Sequence, residues 1–402
     1  MTHESILELA VALRPRYQKA TKATKKVILD EFCATTRYHR KAAIRLLNRK
    51  PATTARPRRR GRPKVYLPSV LLPTLALVWE ASGRICSKRL VPFMAELLDS
   101  LMRHGEIHPD GHVYDLLVAL SPATMDRLLR PVRKDHLRRP HVSTPMVASL
   151  AHRVATHTYR DLRALPVGHL EVDLVLHCGM TTAEFHLTTL VGVDIVTGWC
   201  DCEAVWGKGK ERVAGAVERL RRRLPFPLLG LHSDCGGEFI NDTLYGYCQR
   251  SQIDFTHSRP YHKNDQPRVE QRNGSLVRQL IGHGRYSSHA AQEQLNRIYA
   301  LVRDHLNYFQ PVRKLIGYER QGDHMVKRYD LAQTPYQRLV ASGRLSAEQQ
   351  QEMEAHYRSL NPLQLHRAIE REVRKLWEME ALDPASEGAV LAEIAKGLPP
   401  LR

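Results

Sequence analysis

Three carboxylates in this 402-residue chain sit where ordinary folding does not ask for them: Asp173, Asp234 and Glu270. Asp173 falls within LEVDLVL, where period-two alternation puts Leu170, Val172, Leu174 and Leu176 on one face of a strand and Glu171, Asp173 and Val175 on the other. A carboxylate in mid-strand loses hydration and needs a compensating partner. Asp234 closes the strand LLGLHSD, at the point where a loop lets a side chain project over a sheet edge, and Glu270 is the one glutamate in RPYHKNDQPRVEQRN, among four Lys/Arg side chains. Although 61 and 36 positions separate the three, strands and a helix that adjoin in space would bring them together. The chemistry this suits is that of a hard cation. Mg2+ prefers oxygen donors and keeps several waters, with Mn2+ as its substitute. Two such ions about 4 Å apart activate a water or a 3'-hydroxyl and stabilise the leaving oxygen of a phosphoryl displacement.

The elements that would position them form a recognisable order. HLEVDLVLH and EFHLTTLVGVDIVTGWCDCEAVW read as three strands with turns around Gly179 and Thr197-Gly198. GKERVAGAVERLRRRL is a helix, PLLGLHSD a strand, INDTLYGYCQRS a helix, IDFTHS a strand, and QPRVEQRNGSLVRQLIG a helix opened by Asp265 and Pro267. A strand meander followed by alternating helices and strands implies a mixed sheet with helices on both faces, the order of the ribonuclease H-like fold. Other acids have plainer readings: Asp194 as a strand or turn residue, Asp265 as an N-cap, Glu238 as a loop hydrogen-bond acceptor. Glu171, on the same strand face as Asp173, is the competing ligand. GKGKE at 207–211 lacks the rest of a phosphate-binding loop, so no ATP site is expected.

Before this core the pattern is helical and basic. Ser5 and Glu8 form a capping box ahead of ILELAVAL, a second helix is expected from Lys25 to about Cys33, and a third through RYHRKAAIRLLNR. Ala42, Ala43, Leu46 and Leu47 recur at helical spacing there, while Arg37, Arg40, Lys41 and Arg45 charge the remaining surface. This reads as a helix-turn-helix unit over 1–50, with an ordinary three-helix packing module as the alternative. The linker 51–66 contains RRRGRPK, which resembles an AT-hook: Arg60 and Arg62 would follow a minor-groove floor beside Arg59 and Lys64, or the stretch is a plain basic tether. Residues 67–140 read as a second helical DNA-binding domain, with Lys88, Arg89, Arg127, Arg130, Arg133 and Lys134 as phosphate contacts, and 141–164 as a linker. The core spans 165–310. Residues 311–402 are expected to be mostly helical, with a stripe of Leu365, Ile369, Val373, Leu376 and Trp377.

Lys plus Arg number 61 against 42 Asp plus Glu, a formal charge of +19. Such a surplus attracts a polyanion, so double-stranded DNA is the expected partner and a membrane is not. The apolar stretch LPSVLLPTLALVW is too short to span a bilayer and is broken by Pro68 and Pro73. The acidic first residues do not form a signal peptide, and the chain reads as a cytoplasmic protein. Seven cysteines without paired spacing imply neither a disulfide framework nor a structural zinc site.

Asp173, Asp234 and Glu270, with 35 residues between the last two, resemble the D, D-35-E pattern of retroviral integrases and of bacterial insertion-sequence transposases with an integrase-type core. EVD, VDIVTGW, HSDCGGEFIN, RPYHKNDQPRVEQRN, NYFQPVRKL and YDLAQTPYQRL are similar to the words that surround that pattern. The resemblance implies a DNA transposase. Its Asp173, Asp234 and Glu270 would be catalytic and would hold two Mg2+ ions, it would act on terminal inverted repeats and target DNA, and it would assemble as a homo-oligomer on paired ends. Lys263, Arg272 and Arg278 would bind phosphates. Relatives have Asp-Asn-Gly where this chain has Asp234-Cys235-Gly236, and many have Lys or Arg where Val277 stands, so Arg272 or Arg278 would take that role. A ribonuclease H-like nuclease and a non-catalytic DNA-binding regulator are the alternatives.

Overall fold

The computed structural model describes residues 1–49, 65–133, 155–156, 165–234, 236–258, 266–322 and 324–381. Arg59, Arg60, Arg62 and Lys64 of the AT-hook-like stretch, Lys134, most of the linker 141–164, Cys235, Lys263 and Asp265 lie outside the described residues. The chain divides into two compact units, Met1–Val65 and Tyr66–Arg402.

In the first unit three short amphipathic helices bury their apolar stripes against one another. They are α1 (His3–Lys19), α2 (Lys22–Thr36) and α3 (Arg40–Leu47), and Ile6, Ala10, Tyr17, Ile28, Phe32, Ala43 and Leu47 form their core. The first cap is Thr2 and not Ser5: the Thr2 hydroxyl accepts from the Ser5 backbone N–H at 3.3 Å, so the helix starts three residues earlier than expected. Arg37 ends α2 in the left-handed region at φ 57°.

The second unit begins with α4 (Pro68–Ala81), α5 (Ser87–Leu90), α6 (Met94–Arg103), α7 (Gly111–Val118) and α8 (Pro122–Arg133). A sheet follows, with β1 (Ala155–Thr156), β2 (His169–Leu176), β3 (Thr188–Asp194) and β4 (Cys200–Val205), then α9 (Lys210–Arg223), β5 (Gly230–Ser233), α10 (Asp242–Arg250) and β6 (Asp254–His257). Next come α11 (Pro267–Arg272), which widens into a π-helical stretch over Asn273–Ile281, and α12 (His289–Phe309). The chain closes with β7 (Leu315–Gln321), β8 (His324–Tyr329), α13 (Pro335–Ala341), α14 (Ala347–Ser359) and α15 (Pro362–Trp377). Among the described residues no helix is long and apolar enough to cross a membrane.

The sheet order is β1-β6-β5-β2-β3-β4. β2, β3 and β4 run antiparallel as a meander, while β5 and β6 run parallel to β2. This mixed sheet with helices on both faces is consistent with the ribonuclease H-like core expected from the sequence. Leu170, Val172 and Leu190 join Val213, Val217 and Leu220 of α9 on one face. Gly192 permits that approach, since a Cβ there would stand 3.0 Å from Leu220 and 3.2 Å from Leu170. The other face, with Val175, Val191, Val193, Cys200 and Cys202, packs under α12 and α15 through Leu295, Tyr299, Ile369 and Val373.

One expectation is corrected by this unit. Helices α4 to α8 do not stand apart as a second domain, because their apolar residues share one cluster with the sheet and α13 to α15. Polar contacts reinforce the join: Arg84 pairs with Glu370 at 2.6 Å, Arg367 with Glu80 at 2.9 Å, and His305 lies 2.8 Å from the Ala81 carbonyl oxygen. The C-terminal region, read as mostly helical, carries α13 to α15 and also an antiparallel hairpin of β7 and β8.

β4 is an edge strand, and its unpaired backbone groups would be open to another chain. Amides on α12 finish it instead. Asn307 accepts from Cys200 N at 2.9 Å and donates to Cys200 O at 2.8 Å, while Asn296 accepts from Ala204 N at 2.8 Å and Gln292 donates to Ala204 O at 3.0 Å. Asn307 is fully buried, so Asn307→Ala should cost about 1–3 kcal/mol by leaving both strand groups without partners. Denaturant unfolding of that variant against wild type measures it, and an unchanged midpoint would contradict this role.

Candidate active site

The parallel pairing of β2 with β5 sets the site. Glu171 stands opposite His232, the last pair of that ladder, and Asp234 follows directly after β5, close enough for its charge to act on Asp173. Asp173 Oδ1 accepts from the Leu174 N–H at 2.8 Å, and Oδ2 accepts from Asn273 Nδ2 at 2.6 Å. Asp234 Oδ1 accepts from the Gly236 N–H at 3.0 Å. Burial first, and then the neighbouring Asp234 charge, push the Asp173 carboxyl up to about 7. Burial likewise raises Asp234. Two carboxylates that resist joint ionisation are what a divalent cation would relieve, so the donor set fits Mg2+ chemically.

Glu238 adds a carboxylate that the sequence reading assigned only to a loop hydrogen bond. A Cβ on Gly236 would stand 3.0 Å from both Asp234 Oδ1 and Glu238 Oε1, so these oxygens are at most about 6 Å apart by geometry. Its charge raises both aspartates further. The signal was available: Glu238 lies four residues beyond Asp234 in a glycine-containing loop that must fold back on itself.

Glu270 is carried by α11, and the sheet holds that helix in place. No side chain at Gln266 caps it. The fully buried Glu171 does so from β2: its Oε2 accepts from the N–H groups of Arg268 at 2.9 Å and Val269 at 3.0 Å, and its Oε1 from Arg268 Nη1 at 2.6 Å. A carboxylate at a helix N-terminus meets both the free N–H donors and the positive end of the helix dipole. Glu171, the competing ligand of the sequence reading, is thus committed to the helix. One turn after Glu270, on the same side of the helix, Asn273 reaches Asp173. Glu270 itself is exposed. Among the described residues, no three His, Cys, Asp or Glu side chains stand as a group able to hold a metal ion, so the structure brings the two aspartates together and fixes the Glu270 helix beside them without closing a three-carboxylate cluster.

Asp194 is a turn residue, accepting from Gly168 N at 2.8 Å and from Thr197 N and Oγ1 at 2.6 and 2.7 Å. Arg278 donates to the Leu176 carbonyl at 3.1 Å from the π-helical stretch, half-buried, so it is occupied within the fold. Arg272 is only 8% exposed. Arg89 corrects a surface reading: its Nε donates to the Pro311 carbonyl at 2.5 Å, its Nη2 is buried without a partner, and burial together with the nearby Arg272 lowers it to about 10. Lys88 and Arg127 are exposed, and Arg127 bonds to its own helix at Ala123 and Thr124. In the first unit Arg37, Arg40, Lys41 and Arg45 are exposed, with Arg40 paired to Asp30.

Fold and site together define a mixed α/β chain with two neighbouring aspartates, one on β2 and one just past β5, beside a helix pinned to the same sheet. No family model matches the chain. It is 39% identical over 322 residues to the uncharacterized protein y4rM of Sinorhizobium fredii (strain NBRC 101917 / NGR234), covering 80% of this chain and 91% of that one, and it belongs to the same family. Among solved structures it is similar to the catalytic core domain of BIV integrase, with 20% identity over 44% of this chain and 95% of that one and a TM-score of 0.29. A likeness of that score adds nothing to the topology described above.

Proposed function

We propose that this protein is a DNA transposase that binds terminal inverted repeats, cleaves the element ends and joins the freed 3'-hydroxyls to target DNA. The observation that carries the reading is Asp173 on β2 beside Asp234, which follows directly after the parallel strand β5, with the Glu270 helix tied to Asp173 through Asn273 and to Glu171 one pleat away. Asp173, Asp234 and Glu270 would hold two Mg2+ ions, Mn2+ substituting, which supply activation of the attacking oxygen and charge stabilisation at the leaving oxygen. The chain's own part is positional. Glu171 and Asn273 orient the helix and the first aspartate, and the surrounding apolar strands keep bulk water from the pair. Arg272 and Arg89 offer charge to a phosphate, and the exposed Lys41 and Arg45 of α3 suit a helix entering a major groove. Paired ends would require more than one copy of the chain.

The test is a joining assay with Mg2+, duplexes ending in the inverted repeats that flank the gene, pre-cut to expose 3'-hydroxyls, and a target plasmid. We expect ends joined covalently to plasmid, with short direct duplications bordering them. Hydrolysis without joining would indicate a nuclease, and binding without either reaction a regulator. Each outcome removes the transposase reading.

A further inference from the structure

We infer that the β7–β8 hairpin is a DNA-binding arm whose outer face lies against duplex DNA. The inference rests on the reading of this chain as a DNA-processing protein and extends it to a segment outside the carboxylate site. A two-stranded ribbon is marginal on its own in water, and here only its base is tied down. Lys314 N donates to Asp330 Oδ1 at 2.6 Å, Asp330 N to Lys314 O at 2.9 Å, Arg338 pairs with Asp330 at 2.8 Å, and Val312 bridges to Gln333. Lys314 Nζ donates to the Ile195 carbonyl at 3.3 Å, which fixes the base at the β3–β4 turn.

Beyond the base the ribbon has two unlike faces. Tyr318 pairs with Lys327 and Arg320 with Met325, and paired residues share a face, as do alternate residues along β8. Tyr318, Arg320, Met325, Lys327 and Tyr329 therefore line one side. Tyr318 is 58% exposed, Met325 62% and Ile316, at the bulge, 59%. Glu319 and Arg328 pair with each other on the opposite side, so the first face carries two cations, two tyrosines and no strand carboxylate.

Apolar groups held this far into solvent call for a partner, and the charges select which. A second copy packed face to face would oppose Arg320 and Lys327 to cations of the same kind. Duplex DNA meets them with phosphates and presents sugar and base edges to the tyrosines and Met325. The major groove, about 12 Å wide, admits a two-stranded ribbon.

The full chain with Arg320→Ala and Lys327→Ala together, and separately with Tyr318→Ser, tests this by fluorescence anisotropy on duplex DNA of arbitrary sequence across a salt series. We expect the double variant to bind roughly tenfold more weakly, with a salt slope shallower by about two, one per lost phosphate contact. Tyr318→Ser should weaken binding with the slope unchanged. Melting temperatures should match wild type, because none of these side chains is buried. Wild-type affinity and slope in both variants would overturn the arm while leaving the transposase reading intact. Sedimentation showing dissociation into smaller species, with DNA binding unaltered, would assign the face to self-association and overturn it equally. Failure of wild type itself to bind DNA would remove the transposase reading, and the arm with it.

Discussion

Asp173→Asn, Asp234→Asn and Glu270→Gln should each lower Mg2+-dependent end cleavage and strand joining by roughly a thousandfold, the loss of several kcal/mol of transition-state stabilisation, while end binding persists. The two aspartate variants carry a second, opposite signature. Burial and mutual repulsion disfavour charge at Asp173, and an amide at 173 can still accept from the Leu174 N–H. Without Mg2+, Asp173→Asn should therefore melt no lower than wild type, as expected where a site trades stability for function. Glu270→Gln should leave the melting temperature unmoved, since the side chain is exposed. Gel assays of cleavage and joining, paired with thermal melts in EDTA, separate the effects. Near-wild-type catalysis in all three variants would end the assignment of these carboxylates.

Glu171→Ala should be the most damaging single change to the core, at about 3–5 kcal/mol. It strips the acceptor from the buried side of Arg268 and from two helix N–H groups at once. Glu171→Gln is the informative companion. It keeps the shape and one oxygen acceptor but not the charge, so the fold should survive with a smaller loss. Because the cap orients α11, joining activity in Glu171→Gln should fall well beyond what its fraction folded explains. If Glu171 served only stability, specific activity per folded molecule would be unchanged. Urea unfolding curves alongside joining rates at a concentration where the variant is fully folded would distinguish these outcomes.

The helical elements of the first unit and the strand–helix order of the core were legible because period and caps are local properties. Leu170, Val172 and Leu174 alternate with Glu171, Asp173 and Val175, and the observed faces follow that alternation. The hairpin β7–β8 was missed although its cue was local as well. Gly322, just past the end of β7, takes a φ of 62° between the alternating segments. The helix start at Thr2 was missed because Thr2 and Ser5, three positions apart, both suit a cap and local sequence does not rank them.

The sequence by itself determined the inventory: which acids lie in apolar strands, which segments are basic, and that the core alternates in the order needed to gather Asp173, Asp234 and the Glu270 helix. Tertiary structure decided how each group is used. Glu171 and Asp173 occupy the same strand face two residues apart and are indistinguishable by pattern, yet one caps a helix and the other faces a second aspartate. Arg272, Arg278 and Arg89 are equally basic in the chain, and only packing turns Arg278 to the Leu176 carbonyl, turns Arg89 to the Pro311 carbonyl and buries Arg272 near it. The physical reason is that side-chain periodicity depends on neighbours a few residues away, whereas desolvation and Coulomb energy depend on whichever distant segments pack within a few ångströms.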